Sequence, residues 1–217
     1  MATAFGRTLT KVTRARVSMR SLISIVEKRT VVRARDLYRS GIHPETLSRA
    51  LRRGLLLKIG RGLYACKDFS PNFERQIMLA CKRVPNGIVC LKSAVKFHGL
   101  LPLDSASIWM AVDFKAKKPV AGGLKLRFVR FSGQALTQGV ENRRIDGVPV
   151  RIYSAAKTIA DCLKYRKKLG GNLAAKVLRE SIDQRKCSEQ RLRHFARICR
   201  VRKLVHAAYS LVARAWL

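Results

Sequence analysis

Glu45, Ser48, Arg49 and Arg52 stand at i, i+3, i+4 and i+7. On a helix that spacing gathers four polar side chains on one side, while Leu47, Ala50 and Leu51 fall on the other. A short helix with an apolar back and a basic, polar front suits the major groove of DNA. A guanidinium there can donate twice to one guanine, and a hydroxyl can bond to several base edges. Ser48, Arg49 and Arg52 are therefore the candidate base readers. Arg33, Arg35, Arg53 and Arg61 are candidates for holding phosphates, and Thr46 and Lys58 complete the predicted DNA-contacting set. The competing reading is a small helical domain with a solvated basic face, which is what a run of charge usually means.

The flanking elements favour the first reading. Leu22, Ile23, Ile25 and Val26 mark the apolar side of a helix ending near Arg29. Residues 33–40 predict a second short helix, closed by Gly41. Pro44 suits the first position of the third helix, and Ile42 and Leu47 fall at the two positions of a hydrophobic staple. Gly54 ends that helix. Leu55–Ile59 and Leu63–Cys66 then read as strands around Gly60-Arg61-Gly62, which leaves Arg61 at the tip of a tight turn. Three helices and a hairpin in this order predict a winged helix-turn-helix. Helix 44–53 would enter the major groove, and Arg61 would meet a flanking phosphate or the minor groove.

The charge balance agrees. The chain has 217 residues, with 46 Lys+Arg against 13 Asp+Glu, a formal charge of +33. The excess is +12 over residues 1–70 (16 basic, 4 acidic), +8 over 71–150 (13 and 5) and +13 over 151–217 (17 and 4). It is not confined to the winged helix, so the C-terminal part also faces nucleic acid or an acidic partner. Arg191, Arg193, Arg197 and Arg200, on the outer side of a predicted helix, are candidates for that second contact with DNA or protein. A hydrophobic content of 47% argues against disorder. Residues 1–18 are basic and rich in Ser and Thr, and read as a DNA-contacting arm, an organellar transit peptide or a start-site extension. The arm and the extension are favoured. No segment reaches the length of an apolar membrane span, so no membrane partner is expected.

Other residues could do chemistry, and each has a plainer reading. Asp113-Phe-Lys115 ends a predicted strand and matches the tail of a metal-dependent nuclease pattern. Such a site needs a second upstream carboxylate for Mg²⁺, and the nearby acids between the wing and Asp113 are Glu74 and Asp104. Lys157 and Asp161 stand at i, i+4, either as an ion pair on a helix face worth a few tenths of a kcal/mol, or as a polar site facing a sheet. His98 reads as a satisfied core or capping histidine, and Trp109 as core. The six cysteines include no CxxC. Cys187, His194, Cys199 and His206 have no known metal spacing, so reduced core thiols are expected and no metal. Gly122-Gly123 and Gly170-Gly171 lack a phosphate-binding pattern, so no cofactor is expected.

Beyond the wing, a helix through Phe73–Cys81 is followed by a short strand at 87–91 and a helix capped by Ser93. Strands follow at 107–114 and 124–131, and then a hairpin about Asp146-Gly147. Helices are predicted over 155–169, 173–184 and 189–200, capped by Ser154, Asn172 and Ser188, with a last helix through Leu204 and Val212.

Several motifs in this order resemble one family. Arg61-Gly-Leu-Tyr64 follows the winged helix, then come residues 85–93 (PNGIVCLKS) and Phe97-His-Gly-Leu100. Residues 153–161 (YSAAKTIAD) and Lys167-Lys-Leu-Gly170 close the series. Together, from about Met19 to the C-terminus, they resemble the AbiEi antitoxins. The resemblance implies a winged helix that binds inverted repeats in its own promoter. It also implies a C-terminal domain that counteracts a co-transcribed nucleotidyltransferase-like toxin, in the bacterial cytoplasm and in phage-defence settings, with Lys157 and Asp161 in a shared motif. No enzymatic activity is expected. A stand-alone winged-helix regulator whose C-terminal domain senses a ligand or oligomerises is the second reading, and the Asp113/Lys115 nuclease the third. The predicted fold class is α+β: a winged helix-turn-helix at 19–70, then at 71–217 a mixed α/β core with a C-terminal helical layer.

Overall fold

The computed structural model describes residues 19–69, 72–103, 105–117 and 124–207. The expectations for residues 1–18, for Asp104 and for the end of the last helix lie outside them. The chain divides into two compact units, with the division at Phe69 and Ser70.

The first unit holds helices α1 (Met19–Arg29), α2 (Ala34–Arg39) and α3 (Pro44–Arg52) and strands β1 (Val31–Arg33), β2 (Leu56–Gly60) and β3 (Leu63–Cys66). Its sheet has the order β1-β3-β2, antiparallel throughout. β1 was not foreseen, and it corrects the expected start of the second helix: Arg33 is the last residue of a strand, and the helix begins at Ala34. The two valines of β1 are buried against β3. One core gathers Leu22, Val26, Val32, Leu37, Ile42, Leu47, Ala50, Leu56 and Tyr64, drawn from every element. The wing turn needs Gly62, whose φ of 69° lies in the left-handed region.

The second unit is built on a five-stranded mixed sheet. Its strands are β4 (Ile88–Val89), β5 (Ile108–Asp113), β6 (Leu126–Phe131), β7 (Val140–Ile145) and β8 (Val148–Tyr153), in the order β6-β5-β4-β8-β7. β7 and β8 form the expected hairpin, with Ile145 opposite Val148. Asp146 (φ 46°) and Gly147 (φ 73°) both take positive φ, as a two-residue turn matched to the sheet twist requires. Helices α4 (Phe73–Arg83), α5 (Leu91–Phe97), α6 (Gln134–Thr137), α7 (Ala155–Lys164), α8 (Arg166–Leu169), α9 (Gly171–Asp183) and α10 (Glu189–Ile198) belong to the same unit, and residues 202–207 are again helical, where the last helix was expected to begin.

Three local expectations are corrected. Ser93 does not cap α5. It is buried inside the helix, and its Oγ accepts from Trp109 N at 2.9 Å, tying helix to strand. The helix expected over 155–169 breaks at Tyr165, and α8 begins at Arg166. α9 starts at Gly171 with Gly170 as its cap, so Asn172 does not cap it. Ser154 and Ser188 do cap α7 and α10, accepting from Lys157 N and Arg191 N.

At the centre of this core Lys157 and Asp161 form an ion pair with neither side chain exposed. Lys157 Nζ donates to both carboxylate oxygens, at 2.7 and 2.6 Å, and Cys199 Sγ donates to Asp161 Oδ1 at 3.2 Å. The ammonium also sits 4.2 Å from the Tyr153 ring centroid and 4.7 Å from that of Phe131. Burial raises the Asp161 carboxyl above its ordinary value, and Lys157 and Cys199 pull it back. A surface pair worth a few tenths of a kcal/mol is therefore the wrong description. Through Cys199, the C-cap of α10, the pair ties α7 to the end of that helix. Gly139 makes room for it: a Cβ there would stand 2.8 Å from the Phe195 ring and 2.9 Å from Lys157 Cβ.

Candidate nucleic-acid interface

α3 is held by its apolar back and framed at both ends. Ile42 and Leu47 are each 2% exposed, as a staple across the helix start requires. His43 is the N-cap: its Nδ1 accepts from Glu45 N at 3.2 Å, and Pro44 follows. Gly54, at φ 66°, ends the helix. Leu47 and Ala50 are buried, whereas Glu45, Ser48, Arg49, Arg52 and Arg53 are exposed and Thr46 is half-buried. The front of the helix is thus turned outward as a single polar surface.

The other predicted contacts gather about the wing. Arg33 lies opposite Leu63 across the sheet, and Ala34 N donates to Gly62 O at 3.0 Å. The backbone at residues 33–35 is therefore fastened to the turn that carries Arg61. Arg35 and Arg61 are exposed and Arg33 is half-buried. Lys58 is exposed on β2, beside a bulge between Lys58 and Gly60. Within this unit Arg35 stands 3.7 Å from Asp36, and Arg52 pairs with Glu45 at 2.8 Å. A rigid helix front with hydroxyl, guanidinium and carboxylate groups, plus a cationic turn, has the parts for base readout and phosphate clamping.

The remaining candidates lie in the second unit. Arg191, Arg193 and Arg197 are exposed on α10, and Arg193 Nε donates to Glu189 Oε1 at 2.6 Å. Arg200 is exposed but stands beyond the helix end, at φ 60°. Lys157 and Asp161 are sealed in the core and present no surface. Asp113 ends β5, and its Oδ1 accepts from Lys115 N at 2.7 Å, so the D-x-K stretch forms a side-chain-capped turn. Arg130 Nη1 reaches the carbonyls of Asp113, Phe114 and Ala116 and fixes that turn. Among the described residues no group of three His, Cys, Asp or Glu could hold a metal. His98 Nε2 lies 2.7 Å from Tyr153 O, a satisfied capping histidine.

Sequence reasoning missed two partners here. His43 as N-cap had a local signal, a polar residue just before Pro44. Cys199 as a donor to Asp161 had none, since 38 residues separate them.

Comparison with known proteins bears on the winged-helix segment and on the fold. Among the described residues no helix is long and apolar enough to cross a membrane. No curated protein matches the chain. The crystal structure of the RV2827C protein from Mycobacterium tuberculosis is similar over 81% of this chain and 69% of that one, at 17% identity and a TM-score of 0.57. At that identity the likeness speaks for the fold alone. The family model described as "Transcriptional regulator, AbiEi antitoxin" matches residues 21–66, the span of the winged helix. That segment thus carries the pattern of the AbiEi antitoxin transcriptional regulators, the family that the ordered motifs resemble.

Proposed function

We propose that this chain is a DNA-binding antitoxin that represses its own operon and counteracts a co-transcribed nucleotidyltransferase-like toxin in the bacterial cytoplasm. The observation that carries the reading is the outward front of α3, bearing Ser48, Arg49 and Arg52 on a winged helix that matches a family of antitoxin regulators. The protein acts by occupancy and not by chemistry. Ser48, Arg49 and Arg52 read base edges in the major groove, and Arg33, Arg35, Arg53 and Arg61 hold the backbone on either side. The compact second unit carries the neutralising surface.

The test has two arms. A reporter driven by the promoter of the native operon, with the chain supplied in trans, should be repressed, and Arg49→Ala/Arg52→Ala should relieve that repression. Cells arrested by the neighbouring toxin gene should recover when the full chain is expressed. Repression without recovery would leave a stand-alone regulator, and neither effect would remove the proposal.

A further inference from the structure

The front of α3 carries one acid, Glu45, in a chain where acids are scarce. Its side chain is 54% exposed and that of Arg52 is 69% exposed, yet Arg52 Nη2 and Glu45 Oε1 meet at 2.8 Å. Seven residues separate them, two turns of helix and about 10.5 Å of rise. Helical side chains lean toward the N-terminus, so Arg52 lies back along the front, past the turn of Ser48 and Arg49. An exposed pair of this kind contributes little to stability. Its placement calls for another reason.

A carboxylate on a surface that meets DNA faces a polyanion, and it is repelled unless the groove supplies a donor. In the major groove the N4 amino group of cytosine is such a donor, and it is the natural partner of Glu or Asp. Among the described residues Glu45 Oε2 has no hydrogen-bond partner, and Arg52 spends only Nη2 on the pair. The two side chains together offer an acceptor beside several donors. That pattern complements a cytosine N4 next to the O6 and N7 of guanine. We infer that Glu45 is a specificity-determining residue of α3. It holds Arg52 extended along the reading surface and accepts from a cytosine beside the guanine that Arg52 reads. In the free protein the same contact neutralises Arg52 and weakens its hold on phosphates of arbitrary sequence. This inference rests on the proposal that α3 reads DNA.

The experiment is selection of binding sites from a random duplex library by the full chain, followed by titration of the selected duplex and of random duplex at two salt concentrations. Glu45→Gln and Glu45→Ala are compared with wild type, with melting temperatures as a fold control. Wild type should select a cytosine that both variants lose. Glu45→Gln should shift that position toward adenine, whose N6 and N7 suit an amide. Both variants should bind the selected duplex about 5- to 150-fold more weakly, the discrimination expected of one base contact. Glu45→Ala should bind random duplex more tightly, with a salt slope steeper by about 0.9 as Arg52 turns to a phosphate. Variants that keep the wild-type preference at every position would overturn the role of Glu45 and leave α3 as the reader. Wild type selecting no sequence at all would overturn the reading of α3 as well.

Discussion

Replacing Asp161 by Ala removes the partner of a fully buried ammonium. Lys157 Nζ loses both of its carboxylate bonds, at 2.6 and 2.7 Å, and Cys199 Sγ loses its acceptor. What remains about the charge is the faces of Tyr153 and Phe131, at 4.2 and 4.7 Å. A buried charge stripped of its partner costs about 3–5 kcal/mol. For a unit of this size each kcal/mol moves the melting temperature by about 2–4 °C, so the second unit should melt about 6–20 °C lower. Calorimetry on the full chain reads this directly, and the transition of the winged helix should stay in place. The double variant Lys157→Met/Asp161→Leu should recover most of the loss, because an apolar pair removes the stranded charge along with the bond. A shift under about 2 °C for Asp161→Ala would refute the reasoning, since it would mean that water reaches the ammonium.

Three further outcomes follow from the geometry. Arg61→Ala should weaken binding to all DNA sequences and flatten the dependence of log affinity on log salt by about 0.9, the signature of one phosphate contact; an unchanged slope would remove the wing from the interface. Changing Arg191, Arg193, Arg197 and Arg200 to Gln together should leave the melting temperature within experimental error, because all four are exposed. DNA affinity that falls, with a shallower salt slope, would assign them to DNA, and intact affinity with lost neutralisation would assign them to the toxin. Burial pushes the Cys81 thiol up to about 11 and that of Cys199 to about 12, from an ordinary 9.0. A thiol whose value rises on folding contributes stability that is whole below pH 9 and is lost as pH climbs through the raised value. The second unit should therefore loosen between pH 9 and 12, and Cys81 and Cys199 should resist a thiol reagent at pH 8 until denaturant is added.

Elements with local punctuation were legible in the sequence. The staple of Ile42 and Leu47 and the glycines at 41, 54 and 62 fixed α3 and the wing, because each sits where backbone geometry leaves little choice. Asp146-Gly147 did the same for β7 and β8. β1 escaped notice because it is three residues long and is defined by pairing with Leu63–Ala65, some thirty residues on. Ser93 looked like a cap because small hydroxyl residues favour helix starts. Its bond to Trp109 N, a tertiary contact, claimed it instead. The spacing of Lys157 and Asp161 showed that they meet but not which way they face. Only the packing of α10, which brings Phe195 and Cys199 over them, makes the pair a core element. On α3 the sequence supplied the stripe but not the joining of Glu45 to Arg52.

Whether α3 reads a DNA sequence is decided most directly by one titration. The full chain is measured against a duplex from its own promoter and against random duplex of equal length, in the same salt, alongside Arg52→Ala. Wild type should prefer the promoter by about 10³-fold or more. Arg52→Ala should lose about 1–3 kcal/mol on the promoter and little on random DNA. Equal affinity of the wild type for both duplexes, or equal weakening of both by Arg52→Ala, would contradict sequence reading by α3.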